Sequence, residues 1–198
     1  MSKIHSNISV FVPHIGCPNM CSFCNQRYIT GTFKAPNAKD VEQAVITAVK
    51  SKKYDPKTTE IAFFGGSFTA IDRDYMNELL CTASKYVKNG SVAGIRISTR
   101  PDCIDEEIVK LLAKINKIKP VQIELGLQTS NDSSKEYMNF GYTNKDFINA
   151  VTLLRKENIE VVVHIINGLP NESETDMLNT IEFVNSLDIQ GIKIHSLL

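Results

Sequence analysis

Phe11-Val12-Pro13-His14-Ile15-Gly16-Cys17-Pro18-Asn19-Met20-Cys21-Ser22-Phe23-Cys24-Asn25-Gln26-Arg27 is the stretch that decides how the rest of the chain is read. It opens inside an apolar run, Ile8–His14, and passes directly into a polar loop carrying three cysteines at C-x3-C-x2-C spacing. A short run of β-branched and aromatic residues reads as a strand rather than a helix. A loop that follows a strand lies at that strand's carboxyl end, where parallel α/β folds build their sites. Pro18 stiffens the loop, and Asn19, Asn25 and Gly31 suit tight, irregular turns.

Outward from that loop the chain alternates short apolar runs with longer amphipathic ones. The further strand-like runs are Glu60–Phe64, Gly94–Ser98, Val121–Leu127, Ile159–Ile166 and Gly191–His195. Between them, Asp40–Lys52 places Val41, Ala44, Val45, Ala48 and Val49 on one helical face. Asp72–Val87, Asp105–Ile115, Asn144–Glu157 and Ser173–Leu187 repeat that logic, with Asp72, Asp105, Asn144 and Ser173 as N-caps and Ser173 with Asp176 as a capping box. Within the helix that starts at Asp72, Cys81 reads as a core-filling residue beside Leu80.

Strand–helix–strand alternation implies right-handed crossovers and a parallel sheet. A complete eight-fold barrel needs roughly 200–250 residues. This chain has 198 and spends 15–37 on its first loop, so the expectation is an α/β fold: a partial (β/α)6 TIM-like barrel. The whole of 1–198 then forms one core domain. The last strand runs into Ser196-Leu197-Leu198 with no helix behind it, so the natural protein is expected to continue beyond the sixth strand.

Lys+Arg and Asp+Glu both total 22, so overall charge selects neither nucleic acid nor an acidic membrane as partner. No stretch approaches the ~18 apolar residues of a membrane span, and no signal peptide is evident. Five cysteines, three of them packed into one loop, do not make a secreted disulfide framework. Clustered cysteines in a reducing, cytoplasmic compartment bind metal or do chemistry. Two metal readings stand on the residues alone. Cys17, Cys21 and Cys24 could hold three irons of a [4Fe–4S] cluster and leave the fourth open to a small molecule. Alternatively, His14 with the same cysteines could form a Cys3His zinc site, making the domain a non-catalytic structural or binding module.

The C-x3-C-x-aromatic-C pattern, with Phe23 before the third cysteine, resembles the signature of the radical S-adenosylmethionine superfamily. The wider stretch is similar to the branch containing the radical domain of the Elongator catalytic subunit and the oxygen-independent coproporphyrinogen oxidases. The resemblance implies that Cys17, Cys21 and Cys24 carry the cluster and that strand ends hold the cofactor. Phe64-Gly65-Gly66-Ser67 corresponds to the Gly-Gly-Glu turn, whose backbone binds the methionine amino group. Arg96-Ile97-Ser98-Thr99-Arg100 makes Ser98 and Arg100 pocket candidates. Glu124-Leu125-Gly126-Leu127-Gln128 resembles the stretch whose Gln contacts ribose. His164, before Asn167-Gly168-Leu169-Pro170, marks the strand end beside the adenine. Glu124 either faces the lumen or pairs with Arg96 or Lys193. One departure is Asn139-Phe140-Gly141-Tyr142-Thr143: relatives carry an Arg where this chain has Phe140, and a phenyl ring cannot pair with a carboxylate. Arg100 is the substitute cation. The resemblance further implies reductive cleavage of S-adenosylmethionine, an electron donor such as flavodoxin or ferredoxin, and an unidentified substrate for which tRNA is one candidate.

Overall fold

The computed structural model describes residues 5–13, 17–24 and 34–197. Six strands form one sheet in the order β1-β2-β3-β4-β5-β6, every neighbouring pair parallel. They are β1 (Ser6–Val12), β2 (Thr59–Gly65), β3 (Gly94–Thr99), β4 (Val121–Gln128), β5 (Glu160–Asn167) and β6 (Gly191–Ser196). Sequence order equals spatial order, so each crossover returns one strand further along and the sheet curls as a half-barrel. The expected partial barrel is therefore found.

The crossovers carry α1 (Ala38–Val49), α2 (Arg73–Lys88), α3 (Glu106–Asn116), α4 (Asp132–Tyr137), α5 (Asn144–Lys156) and α6 (Glu174–Asn185). One face of the sheet packs against them. Ile61, Phe63, Ile95, Ile97, Ile123, Leu125, Val161 and Val163 are fully buried there. Phe63 stacks on Phe68 at 4.4 Å between centroids. Strand periodicity turns the alternate residues to the other face. There the register brings Arg96 beside Gln122, Ser98 beside Glu124, and His164 beside Gly126 and Lys193. The half-barrel is thus apolar outside the sheet, under the helices, and polar within.

Helix starts are fixed by side chains that satisfy first-turn amides. Asp72, Asp105 and Ser173 cap as read from the sequence, and Ser173 with Asp176 completes its capping box. Two starts differ. Helix α1 begins at Ala38, because Asn37 accepts from the amides of Lys39 and Asp40 and Asp40 answers as the box partner. Helix α5 is capped by Thr143, not Asn144, since the Thr143 hydroxyl reaches the Asp146 amide and Asp146 returns the bond. Cys81 is exposed, not core. The buried stripe of α2 runs through Met76, Leu79, Leu80, Ala83 and Val87, and Cys81 stands off it.

Candidate active site

At the carboxyl ends of the strands lies a cavity of about 380 Å³. The residues expected to hold the cluster and cofactor line it: Cys17, Cys21, Phe23 and Cys24 from the first loop, Gly65, Gly66 and Ser67 at the end of β2, Ser98 and Arg100 at the end of β3, Gln128 from β4 and His164 from β5. The sheet alone accounts for this convergence, because parallel strands aim all their following loops to one side.

The cysteine loop is fastened to the connection between α4 and α5. Ser22 N donates to Met138 O at 3.0 Å, Asn139 Nδ2 to Met20 O at 3.0 Å, and Asn19 Nδ2 to Phe140 O at 3.4 Å. Gly141 makes the approach possible: it has φ +74, and a Cβ there would overlap the Asn19 side-chain amide. Phe140 is fully buried, edge-on to Phe23 at 5.7 Å and stacked on Tyr142 at 5.9 Å. With Met138, Ile166 and Leu169 it forms a small second core against which Cys21 and Phe23 pack. Phe140 therefore anchors the loop from behind rather than facing a ligand.

The thiols occupy one wall. Burial pushes the Cys21 thiol up to about 11, with Cys24 and Cys17 adding to the rise and Arg100 opposing it. Among the described residues no three His, Cys, Asp or Glu side chains are grouped as a metal-holding set. The donor set nonetheless fits an iron–sulfur group in kind: three soft sulfurs on one loop. The Ser67 amide donates to Cys17 Sγ at 3.3 Å, and Ser67 Oγ is buried with no partner. An orphaned hydroxyl beside a thiol is a place prepared for another molecule. His14, the fourth donor of the zinc reading, lies outside the described residues, as do Asn25 and Gly31.

The glycine turn is sterically dictated. Gly65 has φ +115, and a Cβ on it would fall 2.4 Å from Val12 O. Gly66 N then donates to that same carbonyl at 3.0 Å. This tie holds the end of β2 against the strand that launches the cysteine loop. On β4 the register shifts between Gly126 and Gln128, and Gln128 takes a left-handed φ of 66°. A Cβ at Gly126 would meet Gln128 Nε2 at 2.6 Å, so the missing side chain leaves room for the glutamine to fold back over the cavity.

Arg100 faces the cavity but is committed. Nε and Nη2 donate to Asp102 at 2.9 and 2.8 Å, and its guanidinium sits 5.0 Å from the Tyr142 ring centre. Tyr142 in turn donates to Leu127 O at 3.4 Å. Glu124 is almost wholly buried and accepts from Arg96 Nη1 at 2.9 Å, from Ser98 Oγ at 3.1 Å and from Lys193 Nζ. Both lumen position and pairing hold: Glu124 lines the cavity and pairs with Arg96 and Lys193 together. His164 Nε2 lies 2.9 Å from Glu124 Oε2, close in distance but off the direction of a hydrogen bond. Burial alone would raise the Glu124 carboxyl; His164, Lys193 and Arg96 overrule it and hold it well below the carboxylate range.

Sequence reasoning missed Asn19, Thr99, Gly126, Tyr142, Ile166, His195, Ser196 and Leu197 as wall residues. His195 had a signal. It lies two residues beyond Lys193 on the strand facing Glu124, and period-2 alternation turns it to the same side. Tyr142 had none, because its place depends on how the loop after α4 folds.

A cysteine-rich loop, a glycine turn and a strand-end glutamine around one mouth of a parallel half-barrel define a cofactor-binding α/β enzyme domain. The Radical SAM superfamily model matches residues 11–184, and the chain belongs to that superfamily. It is 43% identical over 106 residues to the Bacillus subtilis protein YtqA, covering 54% of this chain and 33% of that one. It is 28% identical over 192 residues to the tRNA-2-methylthio-N(6)-dimethylallyladenosine synthase of Clostridium novyi, covering 94% and 41%. Among solved structures, the archaeal Elp3 of Methanocaldococcus infernus superposes with a TM-score of 0.72 at 17% identity, covering 98% of this chain and 46% of that one. Coproporphyrinogen III oxidase of Escherichia coli gives 0.67 at 14% identity, with 98% and 44% covered. The chain thus spans well under two thirds of the length of each of these proteins. No helix among the described residues is long and apolar enough to cross a membrane.

Proposed function

We propose that Cys17, Cys21 and Cys24 hold a [4Fe–4S] cluster and that the adjoining cavity binds S-adenosylmethionine for reductive cleavage. When bound, the pair would supply a 5′-deoxyadenosyl radical that takes hydrogen from an unactivated C–H bond of the substrate. The observation that carries this reading is the convergence of the three thiols, Gly65-Gly66-Ser67 and Gln128 on one cavity.

Each protein group then has a task. The three sulfurs would hold the iron as thiolates, and Cys21, whose thiol burial keeps protonated, would release its proton on binding. The Ser67 amide stays on Cys17 Sγ, and such bonds to ligand sulfur tune a cluster's potential. Gly65 and Gly66 let backbone approach the methionine end of the cofactor. Gln128, which donates and accepts, suits the ribose diol. Phe23 and the Phe140 core behind it keep water from the thiol wall. With Phe140 replacing the family's arginine, the carboxylate falls to Arg100, whose Nη1 is not engaged by Asp102.

A soluble one-electron donor such as flavodoxin or ferredoxin would feed the cluster, in a reducing cytoplasm that keeps the free cysteines usable. The tRNA-modifying relative makes tRNA the substrate to try first. Anaerobic reconstitution tests the core reading: iron and sulfide near ~4 per chain, and release of 5′-deoxyadenosine on adding dithionite and S-adenosylmethionine. Each of Cys17→Ser, Cys21→Ser and Cys24→Ser should abolish both. Stoichiometric zinc with no iron uptake would refute it. A second reading, a cluster-bearing domain without turnover, is favoured by the missing arginine at Phe140. Its signature is a complete cluster with no nucleoside released.

A further inference from the structure

The β5–β6 wall of the cavity carries a charge arrangement that the cofactor reading does not use. A carboxylate offers about four acceptor sites. Three of those of Glu124 are taken by Arg96 Nη1 at 2.9 Å, Ser98 Oγ at 3.1 Å and Lys193 Nζ. Among the described residues Glu124 is the one carboxylate lining this cavity, and both of its oxygens are already engaged by neighbouring side chains.

What remains toward the cavity is donor chemistry. His164 lines the cavity, and its Nε2, 2.9 Å from Glu124 Oε2, has no hydrogen-bond partner among the described residues. His195 stands next to it, ring centroids 5.2 Å apart, and makes no hydrogen bond among the described residues. Two imidazoles at that spacing can place N–H groups on one acceptor group lying between them. Lys193, on the same face of β6, adds positive potential behind them.

The geometry points to an oxyanion subsite: His164 and His195 together bind a carboxylate or phosphate group of the substrate. This rests on the proposed radical chemistry, since it assigns the side of the cavity facing the cysteine wall to the substrate. His164 is thereby moved from cofactor binding, where the resemblance put it, to substrate binding.

The test uses anaerobically reconstituted protein labelled with 15N-histidine. It is titrated with sodium phosphate or sodium acetate against sodium chloride at matched ionic strength. The expected result is saturating shifts of the His164 and His195 ring signals, with His5 unmoved. His195→Gln and His164→Asn should each weaken that binding about tenfold, the loss of one charge-assisted hydrogen bond. Saturation by phosphate alone marks a nucleotide-like substrate, and by acetate alone a carboxylic acid; either supports the subsite. No saturable shift with either oxyanion, or equal shifts with chloride, overturns it. Nucleoside release is measured on the same sample. Anion binding without 5′-deoxyadenosine would remove the radical reading and leave the subsite; nucleoside without anion shifts would remove the subsite alone.

Discussion

Phe140 shows how a single residue changes meaning between sequence and structure. In the sequence it is a lost arginine; in the fold it is the centre of a small core behind the cysteine loop. Returning an arginine there would bury a charge among Phe23, Tyr142 and Met138, far from any carboxylate in that cluster. Phe140→Arg should therefore lose iron and stability together rather than gain cofactor cleavage. Phe140→Ala should cost about 3–5 kcal/mol, read as a lower urea midpoint. Glu124 makes a pH prediction. Its carboxyl is held below its unfolded value, so its contribution is complete above about pH 4.3 and fades as pH falls below that. Glu124→Gln should be less stable than the parent near neutrality, and the gap should narrow in acid. Urea midpoints at a series of pH values check both the sign and the window.

At the scale of elements, the strands were readable because buried parallel strands are runs of Val, Ile, Leu and Phe. Their ends moved by a residue or two, as at β1, which runs from Ser6 to Val12 rather than from Ile8 to His14. Helix α4 was not readable. Asp132-Ser-Ser-Lys-Glu-Tyr has no apolar period, and it is helical because Asn131 caps it and Asn144 holds Lys135. The nominated positions outside the cysteine loop reach the cavity because they sit on or just after the strands, positions that periodicity fixes, and the cysteine loop was marked by its spacing alone. Wall residues from irregular connections, Tyr142 above all, depend on tertiary contacts that no local pattern encodes. The Thr143 cap is such a contact at short range: Thr143→Ala should cost ~1 kcal/mol in thermal unfolding, whereas Asn144→Ala leaves the α5 capping box intact.

For the molecule as a whole, the half-barrel has two sheet edges. At one of them β6 shows Ile192 and Ile194 at 40% and 57% exposure. In these 198 residues an apolar edge strand invites pairing, with a further stretch of the same protein or with another chain, and a formal net charge of zero offers no repulsion against it. In the 198-residue chain Ile194→Lys should reduce self-association in sedimentation velocity while changing stability by no more than about 0.5 kcal/mol.

The fastening of the thiol loop has a consequence of its own. Its anchors are the Met138 and Phe140 carbonyls, the Asn139 side chain and the Ser67 amide, not the hydrogen-bond ladder of the sheet. Opening that latch needs only local unfolding, which costs less than global unfolding. Were the proposed cluster in place, its release and denaturation would be two separate transitions. Drawing the three sulfurs together on iron would also pull on the segment joining α4 and α5. The amides around Met138 and Phe140 should accordingly exchange with deuterium more slowly in loaded protein than in stripped protein, so that the small core behind the loop reports on whether the cavity is charged.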